Sequence, residues 1–262
     1  MGKAFTPDDI SPGTSISRAV LELREALDAA KAKCFVVGLS GGIDSAVTLG
    51  LCVRVAPTIA LTMFDVWDTP AEARAKEWFK ELNRQYPGAI QLEQVRPGTL
   101  GSVLDKAVPL RYLRPTEKAK GTEPTPAERR VVGNLTARLR MAILYAWANQ
   151  RSGLVVGTGN ACELYLGYFT KHGDGACDVL PLRHLLKSQV YAVGKELGVP
   201  QSIMEAVPSA ELWPGQTDEG EMGVSYSDVE KYLRREDVPY SVQCRIEEMH
   251  DMNFHKHPTP WW

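Results

Sequence analysis

The chain has 262 residues, enough for one large α/β domain or two small ones with a proper hydrophobic core. Lysine and arginine number 30 against 32 aspartates and glutamates, and this formal charge of −2 argues against a chain built mainly to coat nucleic acid. With 44% hydrophobic and 24% charged residues, the composition is that of an ordinary soluble globule and not of a disordered chain. Lys33, Asp44, Arg54 and Asp65 punctuate the most apolar stretch, which falls short of the roughly 20 apolar residues of a membrane-spanning helix. Residues 1–9 lack the basic-then-apolar layout of a secretory leader. The five cysteines (Cys34, Cys52, Cys162, Cys177 and Cys244) are widely spaced and form no CxxC pair, which fits reduced thiols in a cytoplasmic protein.

Ile16, Val20, Leu23 and Leu27 recur at helical spacing and predict a helix over residues 17–31. Cys34–Val37 is a short apolar run bounded by charge and glycine, hence a buried strand. A helix over 45–55, a strand over 58–64, a surface helix over 71–84 and a third strand over 89–95 follow. This alternation implies parallel strands joined by crossover helices. Residues 96–130 break the pattern with Pro97, Pro109, Pro115, Pro124 and Pro126 among mixed charges, and the part over 114–130 reads as a mobile loop, either a linker or an active-site lid. Order resumes with a helix over 134–150, a strand at 154–156, a short helix carrying Glu163, and a helix over 187–197 stopped by Gly198-Val199-Pro200. Residues 209–223 read as a second long loop before two C-terminal helices near 227–235 and 241–252.

The strongest local signal is Gly38-Leu39-Ser40-Gly41-Gly42-Ile43-Asp44-Ser45, set between a buried strand and an amphipathic helix. Such a turn aims backbone N–H groups and a helix dipole at one point and makes an anion site. Gly41 and Gly42 let an oxyanion approach without a Cβ in the way, and Ser40 and Ser45 add hydroxyl donors. Asp44 would repel a bare phosphate, so its natural role is to hold a divalent cation on that phosphate. No Gly-Lys-Ser/Thr follows, so this is not a Walker A loop, and it is not the dinucleotide fingerprint GxGxxG.

The octapeptide resembles the SGGxDS loop of the PP-loop ATP pyrophosphatases, whose members cleave ATP between the α and β phosphates, adenylate an acceptor oxygen and let a nucleophile displace AMP. Residues 134–187 narrow the resemblance. Arg138-Leu139-Arg140-Met141, Gly157-Thr158 with Glu163 five residues on, Gly167 to Asp174 (GYFTKHGD), Asp178 and Lys187 are similar to the C-terminal half of the NAD synthetase family. The likeness continues through Pro208-Ser209-Ala210-Glu211-Leu212, Gly215 to Glu219 and His255-Lys256, so it covers most of the chain.

The resemblance implies a single α/β domain over 1–262 with a Rossmann-like, adenine nucleotide alpha-hydrolase-like parallel sheet flanked by helices, C-terminal helices 225–262 packed on it, and no glutaminase domain. It implies that Gly38 to Ser45 cradle the ATP phosphates, with Thr158, Lys187 and Ser209 completing the ATP site. Asp44 and Glu163 would bind Mg²⁺, and Arg138, Lys171, Asp178, His255 and Lys256 would bind deamido-NAD. Asp44 and Lys187 are the catalytic candidates. The physical reading agrees. Asp44 and Glu163 follow the carboxyl ends of parallel strands, where ligands bind, and two carboxylates plus phosphate oxygens suffice for Mg²⁺. Lys187 and Lys171 supply charge for an anionic transition state, and Arg138 is suited to grip a phosphate through two N–H groups.

The implied activity is ligation of ammonia to deamido-NAD at the expense of ATP. The implied assembly is a homodimer, with the helices at 17–31 and 134–150 and the side chains Tyr145 and Trp147 as interface candidates. Alternatives are another PP-loop adenylating amidotransferase and a nucleotide-binding homodimer without turnover. The chain departs from the family's pattern at 63–70, where a serine-rich loop gives way to Met63-Phe64-Asp65-Val66-Trp67-Asp68-Thr69-Pro70, leaving Phe64 or Trp67 to stack on adenine, and again across 96–130.

Overall fold

The structure, a computed structural model, describes residues 10–64, 69–95, 125–210, 212–213 and 215–256. Helix α1 (Pro12–Ala30) starts earlier than its apolar periodicity predicts, because Ser11 Oγ accepts from the Thr14 amide and Pro12 occupies the first turn. Strand β1 (Cys34–Gly38), helix α2 (Ile43–Cys52), strand β2 (Thr58–Thr62), helix α3 (Pro70–Gln85) and strand β3 (Ile90–Gln94) then alternate as predicted. Helix α4 (Pro126–Arg151) corrects the reading of residues 126–130 as loop. Thr125 and Glu128 form a reciprocal capping box, with Pro126 in the first turn, so the proline that suggested a loop instead begins a helix. Residues 96–124, which hold the rest of the expected loop, lie outside the described residues, as do residues 65–68 with Trp67.

Strand β4 (Gly153–Val156), helices α5 (Ala161–Leu166), α6 (Lys187–Leu197) and α7 (Gln201–Met204) follow. Helix α8 (Asp218–Met222) lies within the stretch 209–223 expected to be loop; Thr217 caps it by accepting from the Gly220 amide. Helices α9 (Tyr226–Leu233) and α10 (Tyr240–Met252) and a final 3₁₀ turn (Phe254–Lys256) complete the described chain.

The strands form a parallel sheet in the order β3-β2-β1-β4, with Val37 level with Ala60 on one side and with Val156 on the other. Alternation along the strands sorts the core into two layers. Phe35, Val37, Ala60 and Val156 pack with α2, α6 and Trp78 of α3. Val36, Ile59, Leu61 and Val155 face Met141, Leu144 and Ala148 of α4. Trp78 is fully buried and donates from Nε1 to the Ala46 carbonyl at 2.9 Å, locking α3 onto α2. A third apolar cluster joins Ala161, Cys162 and Leu166 of α5 to Met222, Tyr226, Val229, Ile246 and Met249, so the C-terminal helices brace the short helix beyond β4. Among the described residues no helix is long and apolar enough to cross a membrane.

Candidate active site

The order β2-β1-β4 sets the carboxyl ends of β1 and β4 side by side, so the turns leaving them open onto the same edge of the sheet. The first turn is built around Gly41, whose φ of +82° suits glycine; a Cβ there would lie 2.2 Å from the Ala71 carbonyl oxygen. Arg74 Nε donates to the Gly41 carbonyl at 2.9 Å, and the Gly42 amide donates to Ser40 Oγ at 3.3 Å. Ser45 Oγ donates to the Gly42 carbonyl and stands 3.1 Å from Ser40 Oγ. These contacts hold the turn in a fixed concave shape at the N-terminus of α2, where first-turn amides have no acceptor within the helix.

Asp44, in the first turn of α2, points toward the turn after β4. Its Oδ2 lies 2.5 Å from Lys187 Nζ, and its Oδ1 accepts from Asn160 Nδ2 at 2.9 Å. Glu163, in the first turn of α5, presents Oε1 to the same ammonium at 3.4 Å. Both carboxylates, brought from separate stretches of chain, therefore share one cation. Burial alone would depress the Lys187 ammonium, but the Asp44 and Glu163 carboxylates outweigh it and hold the ammonium above its ordinary value. Burial and the Asp44 carboxylate push Glu163 up to about 7 against the pull of Lys187.

Behind this triad, Tyr226 Oη stands 3.0 Å from Glu163 Oε1 and 3.0 Å from Asp218 Oδ2, and the Tyr226 ring lies under Lys187 Nζ at 4.6 Å. Burial raises the Asp218 carboxyl, opposed by Lys187. Tyr168 Oη contacts Asp218 Oδ1 and Glu221 Oε2, and Gln216 donates to Glu221 as well.

The remaining candidates divide into groups. Thr158 is half-buried just past β4, and Ser209 is half-buried beside Pro208, whose carbonyl accepts from the Asp218 amide at 3.0 Å. Arg138, on α4, donates from Nε to the Lys171 carbonyl at 3.1 Å, and Lys171 Nζ donates to the His255 carbonyl at 2.8 Å. Lys256 Nζ donates to the carbonyls of Gly167 and Phe169, both at 2.8 Å. Arg138, Lys171, His255 and Lys256 thus form one basic cluster around residues 167–171. Asp178 stands elsewhere: it accepts from the Val155 amide at 2.8 Å and from Tyr145 Oη at 3.2 Å. That bond gives Tyr145 a partner within the chain, and Trp147 is half-buried against the α4 layer of the core.

The family model described as NAD synthase matches residues 15–95 and 104–260. The chain belongs to the NAD synthase family. An NH(3)-dependent NAD(+) synthetase of Alkaliphilus oremlandii is 39% identical over 246 residues, spanning 94% of this chain and 95% of that one. The solved NMN synthetase of Francisella tularensis is 38% identical with a TM-score of 0.79, covering 97% of this chain and 100% of that chain. The NAD+ synthetase of Burkholderia pseudomallei is 25% identical with a TM-score of 0.74, covering 98% and 93%. Membership in the NAD synthase family agrees with the parallel sheet flanked by helices.

Three residues at the centre of the cluster around Lys187 were given no role by the sequence reading. Asn160 is fully buried and caps α5 by accepting from the Cys162 and Glu163 amides while it holds Asp44. Its signal was an Asn with Glu three residues later, a capping box ahead of a helix. Asp218 lies in the Gly215–Glu219 run of the family likeness but was given no role there, and Tyr226 carried no signal of its own; the packing of α8 and α9 turns both inward.

Proposed function

We propose that this chain is an ammonia-dependent ligase that converts deamido-NAD to NAD⁺ with ATP, releasing AMP and pyrophosphate. The observation that carries the reading is the convergence of Asp44 and Glu163 on Lys187 at the mouth of the glycine turn, in a chain of the NAD synthase family. Among the described residues no three His, Cys, Asp or Glu side chains form a self-sufficient metal cage. Two carboxylates that complete a coordination shell with phosphate oxygens and water are instead the donor set suited to Mg²⁺, and Asp44 and Glu163 already share one cation position. When bound there, Mg²⁺ supplies charge that offsets the triphosphate.

In the reaction, the turn from Gly38 to Ser45 seats the phosphates, with Thr158 and Ser209 completing the ATP site. A nicotinate carboxylate oxygen attacks the α-phosphorus, the α–β bridging bond breaks, and pyrophosphate leaves. Ammonia then attacks the acyl carbon, the acyl–oxygen bond to AMP breaks, and a proton leaves the new amide nitrogen to solvent. Lys187, held charged by its carboxylate partners, supplies positive charge as negative charge builds on the phosphates. The basic cluster of Arg138, Lys171, His255 and Lys256 would hold the dinucleotide phosphates, and Asp178 would orient its sugar or base. The catalytic power is positioning and electrostatics, with no covalent enzyme intermediate.

The same reading makes 1–262 one ligase domain, with the C-terminal helices packed on it. It makes the protein a cytoplasmic homodimer that uses α1 and α4 at its interface. All five cysteines are free, which supports a reducing compartment.

A second reading has its own support. The 38% identity and complete coverage of the Francisella NMN synthetase support a mononucleotide acceptor, while the 39% identity of the Alkaliphilus NAD(+) synthetase supports the dinucleotide. One assay separates the readings. Purified protein is given Mg·ATP and ammonium with either deamido-NAD or nicotinate mononucleotide, and AMP and the amide product are quantified. Turnover of deamido-NAD is expected. Turnover of the mononucleotide alone would transfer the proposal to the second reading, and ATP binding without AMP in either mixture would end both.

A further inference from the structure

Tyr226 is buried at the start of α9, and its side chain reaches two members of the Asp44–Glu163–Lys187 triad in different ways. Its hydroxyl is within 3.0 Å of Glu163 Oε1, the same oxygen that faces Lys187. Its ring face lies 4.6 Å from Lys187 Nζ, a distance at which the ring quadrupole attracts the ammonium. Asp218 Oδ2 approaches the hydroxyl from the other side at 3.0 Å, and Asp218 is itself anchored by Tyr168. The ring is fixed by the apolar cluster of Met222, Val229 and Ile246.

We propose that Tyr226 is a positioning residue for adenylation: its hydroxyl fixes the rotamer of Glu163 and its ring face fixes the Lys187 ammonium, so that one rigid side chain sets the separation of the metal carboxylate and the phosphate-facing lysine. A tyrosine suits this task because it has two side-chain torsions and carries a donor and a cation-binding face on one rigid plane. Phenylalanine would keep the face and lose the donor; leucine would lose both. The inference rests on the proposed ligase reading.

The test measures Mg·ATP binding by calorimetry alongside steady-state rates. Y226F is expected to weaken Mg·ATP binding about tenfold, the cost of removing one hydroxyl donor from between the buried Glu163 and Asp218 carboxylates, and to raise the Mg²⁺ concentration for half-maximal rate by a similar factor. ATP binding without Mg²⁺ should change less than twofold. Y226L should lose the same affinity and a further tenfold in kcat, because Lys187 is then also released. Y232F, on the same helix, removes a hydroxyl that donates to Glu247 at 3.1 Å and has no bond to Glu163, Lys187 or Asp218, so its Mg²⁺ dependence should stay within twofold of the parent. Equal Mg²⁺ dependence in Y226F and the parent, or an equal rise in Y232F, would overturn the proposal. Should Y226F not fold, 3-fluorotyrosine at position 226 keeps the side chain, and its ¹⁹F resonance should move on adding Mg·ATP but not ATP alone; an unmoved resonance overturns the proposal as well. A parent protein that binds Mg·ATP yet makes no amide would sink the ligase reading and leave this binding test in force.

Discussion

Asn160 Nδ2 donates to Asp44 Oδ1 at 2.9 Å, while Asn160 Oδ1 accepts from the Cys162 and Glu163 amides at the start of α5. One buried amide therefore ties the turn after β1 to the turn after β4 and sets both carboxylates from a single point. N160A should lose a helix cap worth about 1 kcal/mol, lower the Tm by about 3 °C and cut the rate of AMP formation about tenfold, because Asp44 loses its donor. Thermal melts and steady-state rates check this, and full activity in N160A would show that Asp44 is held by other means.

D44N preserves shape and removes the charge. Its fold should survive, since the amide fits the same space, while turnover should fall by roughly 100-fold or more, the loss typical when a preorganised electrostatic group is removed. Circular dichroism and product assays decide the matter; retained turnover would refute a metal role for Asp44.

Lys187 is almost fully buried, with a 4% exposed side chain between two acids. K187M leaves Asp44 and Glu163 facing each other without a cation and should destabilise the protein by about 3 kcal/mol. Millimolar Mg²⁺ should recover much of that loss in the variant and raise the Tm of the parent less. A variant whose melting ignores Mg²⁺ would contradict the shared-cation geometry.

Glu163 stands at about 7 in the folded chain, above its usual value near 4.5. A carboxyl raised by folding binds its proton more tightly in the native state, so its stabilising contribution is complete below pH 4.5 and is lost as pH rises through 7. Without Mg²⁺, the protein should lose on the order of 2–3 kcal/mol from this group between pH 5 and 8. E163Q should flatten that slope. Urea melts at several pH values read the effect, and an unchanged slope in E163Q would assign it to other groups.

Gly41 has no room for a methyl group: the Ala71 carbonyl stands 2.2 Å from where a Cβ would sit, at a φ of +82°. G41A should pay about 1–2 kcal/mol for the left-handed backbone alone and more for the clash, and should lose ATP binding because the turn must reshape. Isothermal titration with ATP provides the measure, and parent-like affinity in G41A would mean that the turn is not the phosphate seat.

Much of the frame was legible in the sequence because its strands are short apolar runs and its helices carry 3.6-residue periodicity. The helix from Lys187 to Leu197 matches its expected limits, bounded by Gly198. Helix starts were less legible where prolines intervened. Pro126 read as part of a loop, yet it opens a helix capped one residue earlier at Thr125, and the first helix, set at 17–31 from its apolar spacing, begins at Pro12 behind its Ser11 cap. The glycine turn was legible because its chemistry is local. Asp218 and Tyr226 were not, because their roles depend on α8 and α9 folding back beneath α5, a long-range packing choice that no nearby residue announces.

The connection from α3 to β3 passes through Gly88, which has a φ of +77° and no atom within 4 Å of its absent Cβ. It lies at the amino edge of the sheet, across the molecule from Asp44 and Glu163. The chain can therefore be opened there to receive a reporter peptide or a tether to a surface, with the ligase chemistry left facing outward on the opposite rim.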